Sequence, residues 1–267
     1  MRKLALFCAI LLALGLTAGS LSAADQPDHP GPGDKVRLEE QAWPEDGPFG
    51  VYDRAALQRG FQVYTEVCSA CHAMHLLSYR NLADLGYNDG EIKAIAARVT
   101  TTDGPNDAGE MFERAGRPSD RFHSPFPNEK ASRAANNGAL PKDLSLIVKA
   151  REGNEDYIYS LLTGYTQPPA GVTVNPGMYY NDAFPGHQIA MPPPLTDGRV
   201  TFAAGPDGKV PPNDTASEAK DVVQFLAWAA EPKLEQRHRI GFSVITFLVV
   251  FAGVMYASKK RIWRDEH

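Results

Sequence analysis

Five consecutive residues, Cys68-Ser69-Ala70-Cys71-His72, constrain this chain more than any other feature. C-x-x-C-H is the attachment signature of a c-type haem. Two thiols three positions apart reach the two vinyl groups of one porphyrin as thioethers, and the next residue offers its imidazole to the iron. A chain built this way folds around a large apolar disc. Other uses of the motif fit less well. A thioredoxin-like C-x-x-C opens a helix after a buried strand, whereas here an amphipathic helix leads into it and no βαβ pattern is present. A structural zinc site needs a fourth ligand, and there is no second Cys pair. A Cys68–Cys71 disulfide would close a small, strained loop. With 3 Cys in all, a disulfide-rich scaffold is excluded.

An electron-transfer haem takes a sixth ligand, His or Met, from the opposite face. The methionine candidates are Met74, Met111, Met178 and Met191. Met74 follows the proximal His too closely to cross the ring. Met191 lies in Ile189-Ala190-Met191-Pro192-Pro193-Pro194, where three prolines stiffen the backbone that would present a weak thioether ligand. Met191 is therefore the expected ligand, with Met178 in reserve and His187 as an alternative. His75 stands on the side of His72, and His29, His123, His238 and His267 read as surface.

The ends place the rest of the chain. Arg2 and Lys3, an apolar run from Leu4 to Leu16, and Ser22 and Ala24 before Asp25 form the pattern of a secretory leader over 1–24. Cys8 would leave with it. Residues 240–257 carry no charge and would span roughly 27 Å as a helix. Lys259, Lys260, Arg261 and Arg264 follow, which assigns the 258–267 tail to the cytoplasm. The expectation is a periplasmic domain over 25–239, a transmembrane helix over 240–257 and a short cytoplasmic tail. Leader and tail each contribute +2, which leaves −9 on residues 25–257 against −5 for the whole chain. That balance argues against nucleic-acid binding and suits a basic soluble partner.

Within the exported part, residues 25–50 are rich in Pro and Gly and read as an extended arm. Asp53 caps a helix from Arg54. Leu57, Phe61, Tyr64, Cys68 and Cys71 share one helical face, and Gly60 in its middle suggests close approach by another backbone. Asn88 and Glu91 form a capping box. Residues 100–130 read as loop, residues 156–163 as a short helix stopped by Gly164, and the proline-rich stretch 165–212 as irregular. Thr215 and Glu218 form a second capping box ahead of a helix with Val222, Phe225, Leu226 and Ala229 on its apolar stripe. The aliphatic core this can build is thin, which calls for a large apolar cofactor at its centre.

Longer segments carry a resemblance: RGFQVYTEVCSACH, DGPNDAGEMF, ASRAANNGALPKDLSLIVKAR, EDYIYSLLTGY, AFPGHQIAMPPPL and KDVVQFLAWAAEP. Together they resemble the cytochrome c1 family of bacterial type, the haem subunit of the ubiquinol–cytochrome c oxidoreductase (cytochrome bc1) complex. The resemblance implies a mainly α, class I cytochrome c-like haem domain with long loop insertions, plus one C-terminal transmembrane helix. It implies one haem c joined through Cys68 and Cys71, with His72 and Met191 as axial ligands. Asn136, Arg151 and Tyr157 match positions at the haem propionates, and Pro141 matches a proline beside the ring. Lys142 departs from the second proline of many members, and an extra Cys pair of several bacterial relatives is lacking. The implied role is electron transfer in the inner (or intracytoplasmic) membrane, from the Rieske iron–sulfur protein to a soluble basic cytochrome c, with cytochrome b as a further partner. No acid, base or nucleophile is expected. A membrane-anchored c-type cytochrome serving another periplasmic dehydrogenase or oxidase would share the haem and the anchor. A haem-based sensor would need a labile sixth position, and a thiol oxidoreductase would need both cysteines free.

Overall fold

The computed structural model describes residues 36, 38–205 and 208–265. The expected leader, with Cys8, and also His29 and His267 lie outside them. Residues from Val36 onward form one unit.

Helix α1 (Arg54–Glu66) begins where expected, with the Asp53 carboxylate accepting from the amides of Ala55 and Ala56. It buries Leu57, Phe61, Val63 and Tyr64. Helix α5 (Thr215–Ala230) lies against it and buries Val222, Val223, Phe225, Leu226 and Trp228. Gly60 is the point of closest approach: a Cβ there would stand 2.0 Å from the Asp221 carbonyl oxygen. Arg59 holds Asp221 from the side with bonds of 2.6 and 2.7 Å. Burial raises the Asp221 carboxyl despite that pairing, while the pairing raises Arg59 further. The short, two-pronged geometry makes this a formed ion pair whose carboxylate has lost much of its water.

The core is fuller than its aliphatic content suggested, because aromatic rings supply the volume. Phe61 meets Phe122 and Phe225 at ring-centroid distances of 5.9 and 5.6 Å, and Tyr64 meets the same two at 6.0 and 5.6 Å. Such pairs add about 0.5–1.5 kcal/mol each beyond area burial.

Helix α2 (Asp89–Ala96) has the expected Asn88/Glu91 capping box. The 100–130 segment departs from its loop reading. Strands β1 (Thr100–Asp103) and β2 (Phe112–Ala115) pair antiparallel, Thr100 opposite Ala115, and α3 begins at Glu129. Neither strand alternates hydrophobic and polar residues, so the period that marks a strand was missing. Arg114 supplies the order instead, bonding Asp103 and gripping both Asp120 oxygens at 2.6 and 2.9 Å. Asp120 then docks the hairpin on the haem-motif side, its carbonyl accepting from Tyr79.

Arg114 holds the Asp120 carboxyl down to about 2 and lowers Asp103 as well. Both groups titrate below their unfolded values, so their stabilisation is complete above about pH 4 and is lost as pH falls toward about 2. Arg114→Gln should flatten the acid limb of stability against pH, measured by denaturant unfolding across that window.

Helices α3 (Glu129–Ala135) and α4 (Asn154–Thr163) follow. The latter starts two residues before its expected beginning. The described part of the N-terminal arm is a strap rather than a free extension. The Trp43 indole donates to Asp156 at 2.8 Å, and the Glu39 amide donates to the Ser160 hydroxyl at 2.7 Å. Among its described residues, the stretch 165–212 contains one short ladder, β3 (Tyr179–Tyr180) with β4 (Gln188–Ile189).

The second capping box is corrected. Asp214 caps α5 through the Ser217 amide, and Glu218 turns away into the interior, where it accepts from the Val200 amide at 2.8 Å. The longest helix, α6 (Leu234–Ile262), has no buried residue and is long and apolar enough to cross a membrane.

Candidate functional site

Helix α1 stops at Glu66, so Cys68 and Cys71 do not continue its face as the spacing suggested. They lie on a 3-10 turn, Cys68–Ala70, in which the amides of Cys71 and His72 both donate to the Cys68 carbonyl at 3.1 and 2.9 Å. Ser69 bonds back to the Thr65 carbonyl at 2.7 Å. Both thiols are free, Cys68 half-buried and Cys71 exposed. Burial pushes the Cys68 thiol up to about 12, the reverse of the lowered value that a thiol–disulfide enzyme requires.

His72 is oriented by a residue 70 positions away. Its Nδ1 lies 2.7 Å from the Lys142 carbonyl oxygen. A carbonyl only accepts, so Nδ1 carries the proton and Nε2 keeps its lone pair for a metal. Burial lowers the imidazole's pKa and favours that neutral form. The partner segment is zipped alongside: Leu144 donates to the Ala73 carbonyl at 2.9 Å, and the Ser145 hydroxyl accepts from Leu76 at 3.1 Å. This contact uses only the backbone of residue 142, so it does not depend on the Lys142 side chain. His75 is claimed by Asp143, at 2.6 Å from Nδ1.

The methionines separate by environment. Met74 is fully buried in the core, and Met111 is 61% exposed on the β1–β2 hairpin. Met178 lines a cleft of about 560 Å³ together with Tyr165 and Pro193. Met191 is half-buried two residues past β4, and its carbonyl accepts from the Tyr165 hydroxyl at 3.0 Å. Sequence reasoning missed the residue that moors this loop. Asn181, fully buried, donates to the Leu161 carbonyl at 2.9 Å and accepts from the amides of Ala183 and Phe184. The loop is thereby tied to the end of α4. His187, at φ 57°, spends its Nδ1 on the Asn181 carbonyl and stacks on Tyr180.

Of the remaining expected residues, Arg151 and Tyr157 are neighbours. Tyr157 is buried, which raises its phenol, and the Arg151 guanidinium beside it partly offsets that shift. The Asn136 amide donates to the Ser132 carbonyl at 2.7 Å and closes α3. Pro141 is half-buried directly before the Lys142 carbonyl. This donor set fits a covalently held haem: two free thiols, a neutral imidazole with one nitrogen free, and a thioether on a braced loop.

Residues 43–266 match the Cytochrome C1 family. The chain belongs to the cytochrome c1 family. It is 47% identical to a cytochrome c1 of Rhodospirillum rubrum over 86% of this chain and 89% of that protein. A mitochondrial cytochrome c1 heme protein of Arabidopsis thaliana is 46% identical over 98% and 81%. A cytochrome b/c1 of Bradyrhizobium diazoefficiens is 47% identical over 97% of this chain, which spans 39% of that longer protein. As a member of the family, the chain is a haem-carrying, electron-transferring subunit of the cytochrome bc1 complex, its haem of the covalent c type. It is anchored to a membrane.

Proposed function

We propose that Cys68 and Cys71 bind the haem as thioethers, with His72 and Met191 as its axial ligands. The observation that carries this is the Lys142 carbonyl on His72 Nδ1, which leaves Nε2 for the iron beside two free thiols. Bound there, the haem supplies a one-electron couple. The chain's own part is to hold the imidazole in one tautomer, to brace Met191 through Tyr165 and Asn181, and to bury the Cys68 side of the ring. Arg151 and Tyr157, with Asn136, receive the propionates, since a guanidinium and neutral donors compensate partly buried carboxylates. Pro141 packs beside the ring.

In this reading the chain takes electrons from the Rieske iron–sulfur protein, is seated on cytochrome b, and hands them to a soluble basic cytochrome c. The −9 balance over residues 25–257 supports that last step by steering a cationic partner. Residues 240–257 cross the bilayer, the basic tail 258–267 stays in the cytoplasm, and residues 25–239 lie on the periplasmic side once the 1–24 leader is removed. The test is a haem stain of the denatured polypeptide with its intact mass. The wild-type chain should retain one haem after denaturation, and Cys68→Ser with Cys71→Ser should lose all covalent haem. A stained double variant would refute the attachment.

A further inference from the structure

Residues Gly47–Val51 form a projection that the haem site does not use. Gly47-Pro48-Phe49-Gly50 is a tight turn closed by the Gly50 amide on the Gly47 carbonyl at 3.3 Å, with proline at the turn's second position and Gly47 at φ 77°. Val51 donates to the Pro44 carbonyl at 3.0 Å, and a Cβ on Gly50 would stand 2.0 Å from the Glu45 carbonyl oxygen. Trp43, Glu45 and Tyr52 on either side are buried. The tip points the other way: Phe49 is 78% exposed and Val51 56%. A stiff turn that displays an aromatic residue between buried flanks is made for contact.

Its position names the contact. Three bonds tie this segment to the first turns of α6. The Tyr52 amide and the Arg54 guanidinium donate to Glu235 at 2.9 and 2.7 Å, and His238 Nδ1 donates to the Gly50 carbonyl at 3.3 Å. His238 precedes Ile240, the first residue of the uncharged span, by two positions, a rise of about 3 Å. The headgroup layer outside the hydrocarbon is roughly 5–8 Å thick on each side. The Phe49 turn is therefore held at headgroup depth, where aromatic side chains concentrate. Arg237 and Arg239 lie on the same turns of α6, exposed, at the level of lipid phosphates, with Arg237 also paired to Glu231 at 2.6 Å.

We propose that the Gly47–Val51 turn is a second membrane contact, with Phe49 and Val51 seated in the lipid interface beside α6. The inference rests on α6 being the membrane span, so the experiment reads both. In the intact complex in native membranes, Phe49, Val249 in the middle of α6 (67% exposed) and Val210 on a distant stretch of sequence (65% exposed) are each replaced by the photo-crosslinker p-benzoylphenylalanine. After irradiation, the chain's intact mass is measured. Phospholipid adducts at Phe49 and Val249, and their loss at Val210, are the expected result. Lipid at Val249 with a polypeptide adduct, or no lipid, at Phe49 would overturn the proposal and leave the span standing. Lipid at neither would overturn the span itself and the proposal with it. Equal lipid labelling at all three positions would mean unselective capture and would also overturn it.

Discussion

Met191→Leu is expected to keep the haem covalently attached while its reduction potential falls by on the order of 0.2 V. A thioether ligand raises the potential of a His-ligated haem, and axial ligands tune haem potentials over about 0.8 V. For a one-electron couple, ~59 mV is a factor of ten, so such a fall shifts the equilibrium by about three decades. The attachment is expected to survive because Cys68 and Cys71 stand on a turn closed by its own backbone. Potentiometry of the purified variant, read with the haem stain, separates the two functions. An unchanged potential would remove Met191 from the iron. The same change at Met178, which lines the neighbouring cleft, should leave the potential near that of the parent.

Gly60→Ala is expected to destabilise the packed pair α1 and α5 although it adds a single methyl group. The new Cβ would sit 2.0 Å from the Asp221 carbonyl oxygen and 2.8 Å from the Phe225 Cβ. Neither is the end of a flexible side chain, so α1 and α5 must separate along their seam. Overpacking of this kind costs about 1–3 kcal/mol, set against the ~1 kcal/mol that alanine gains over glycine as a helix former. Thermal unfolding of the holoprotein measures the balance, and a raised midpoint would show that the helices do not meet here. Gly60→Val should be worse, because it adds β-branching to the same collision.

Gly60 illustrates what could be read in advance. A glycine inside an otherwise good helical pattern costs stability unless something needs the space, and here α5 does. The Asn88/Glu91 box and the Asp53 cap were equally legible, since both are completed within three residues. The α5 cap was misread because Thr215 and Glu218 satisfy the same local rule, while Asp214 and Val200 compete for the actual bonds. The β1–β2 hairpin was missed because Arg114, Asp103 and Asp120, rather than alternating apolar residues, hold it in place. Asn181 gave no signal at all: its side chain serves three backbone groups that only the folded loop brings within reach.

The primary structure alone determined that this chain carries a c-type haem and a membrane helix. Both follow from short-range patterns, five residues in one case and eighteen uncharged ones in the other, whose chemistry does not depend on distant partners. Tertiary structure decided how the site is held. The Lys142 carbonyl chooses the His72 tautomer across 70 residues, and Tyr165 and Asn181 moor the Met191 loop to α4. In each of those bonds one partner is a main-chain carbonyl, a group that every residue possesses, so the sequence does not announce which carbonyl a side chain will meet until the chain has folded.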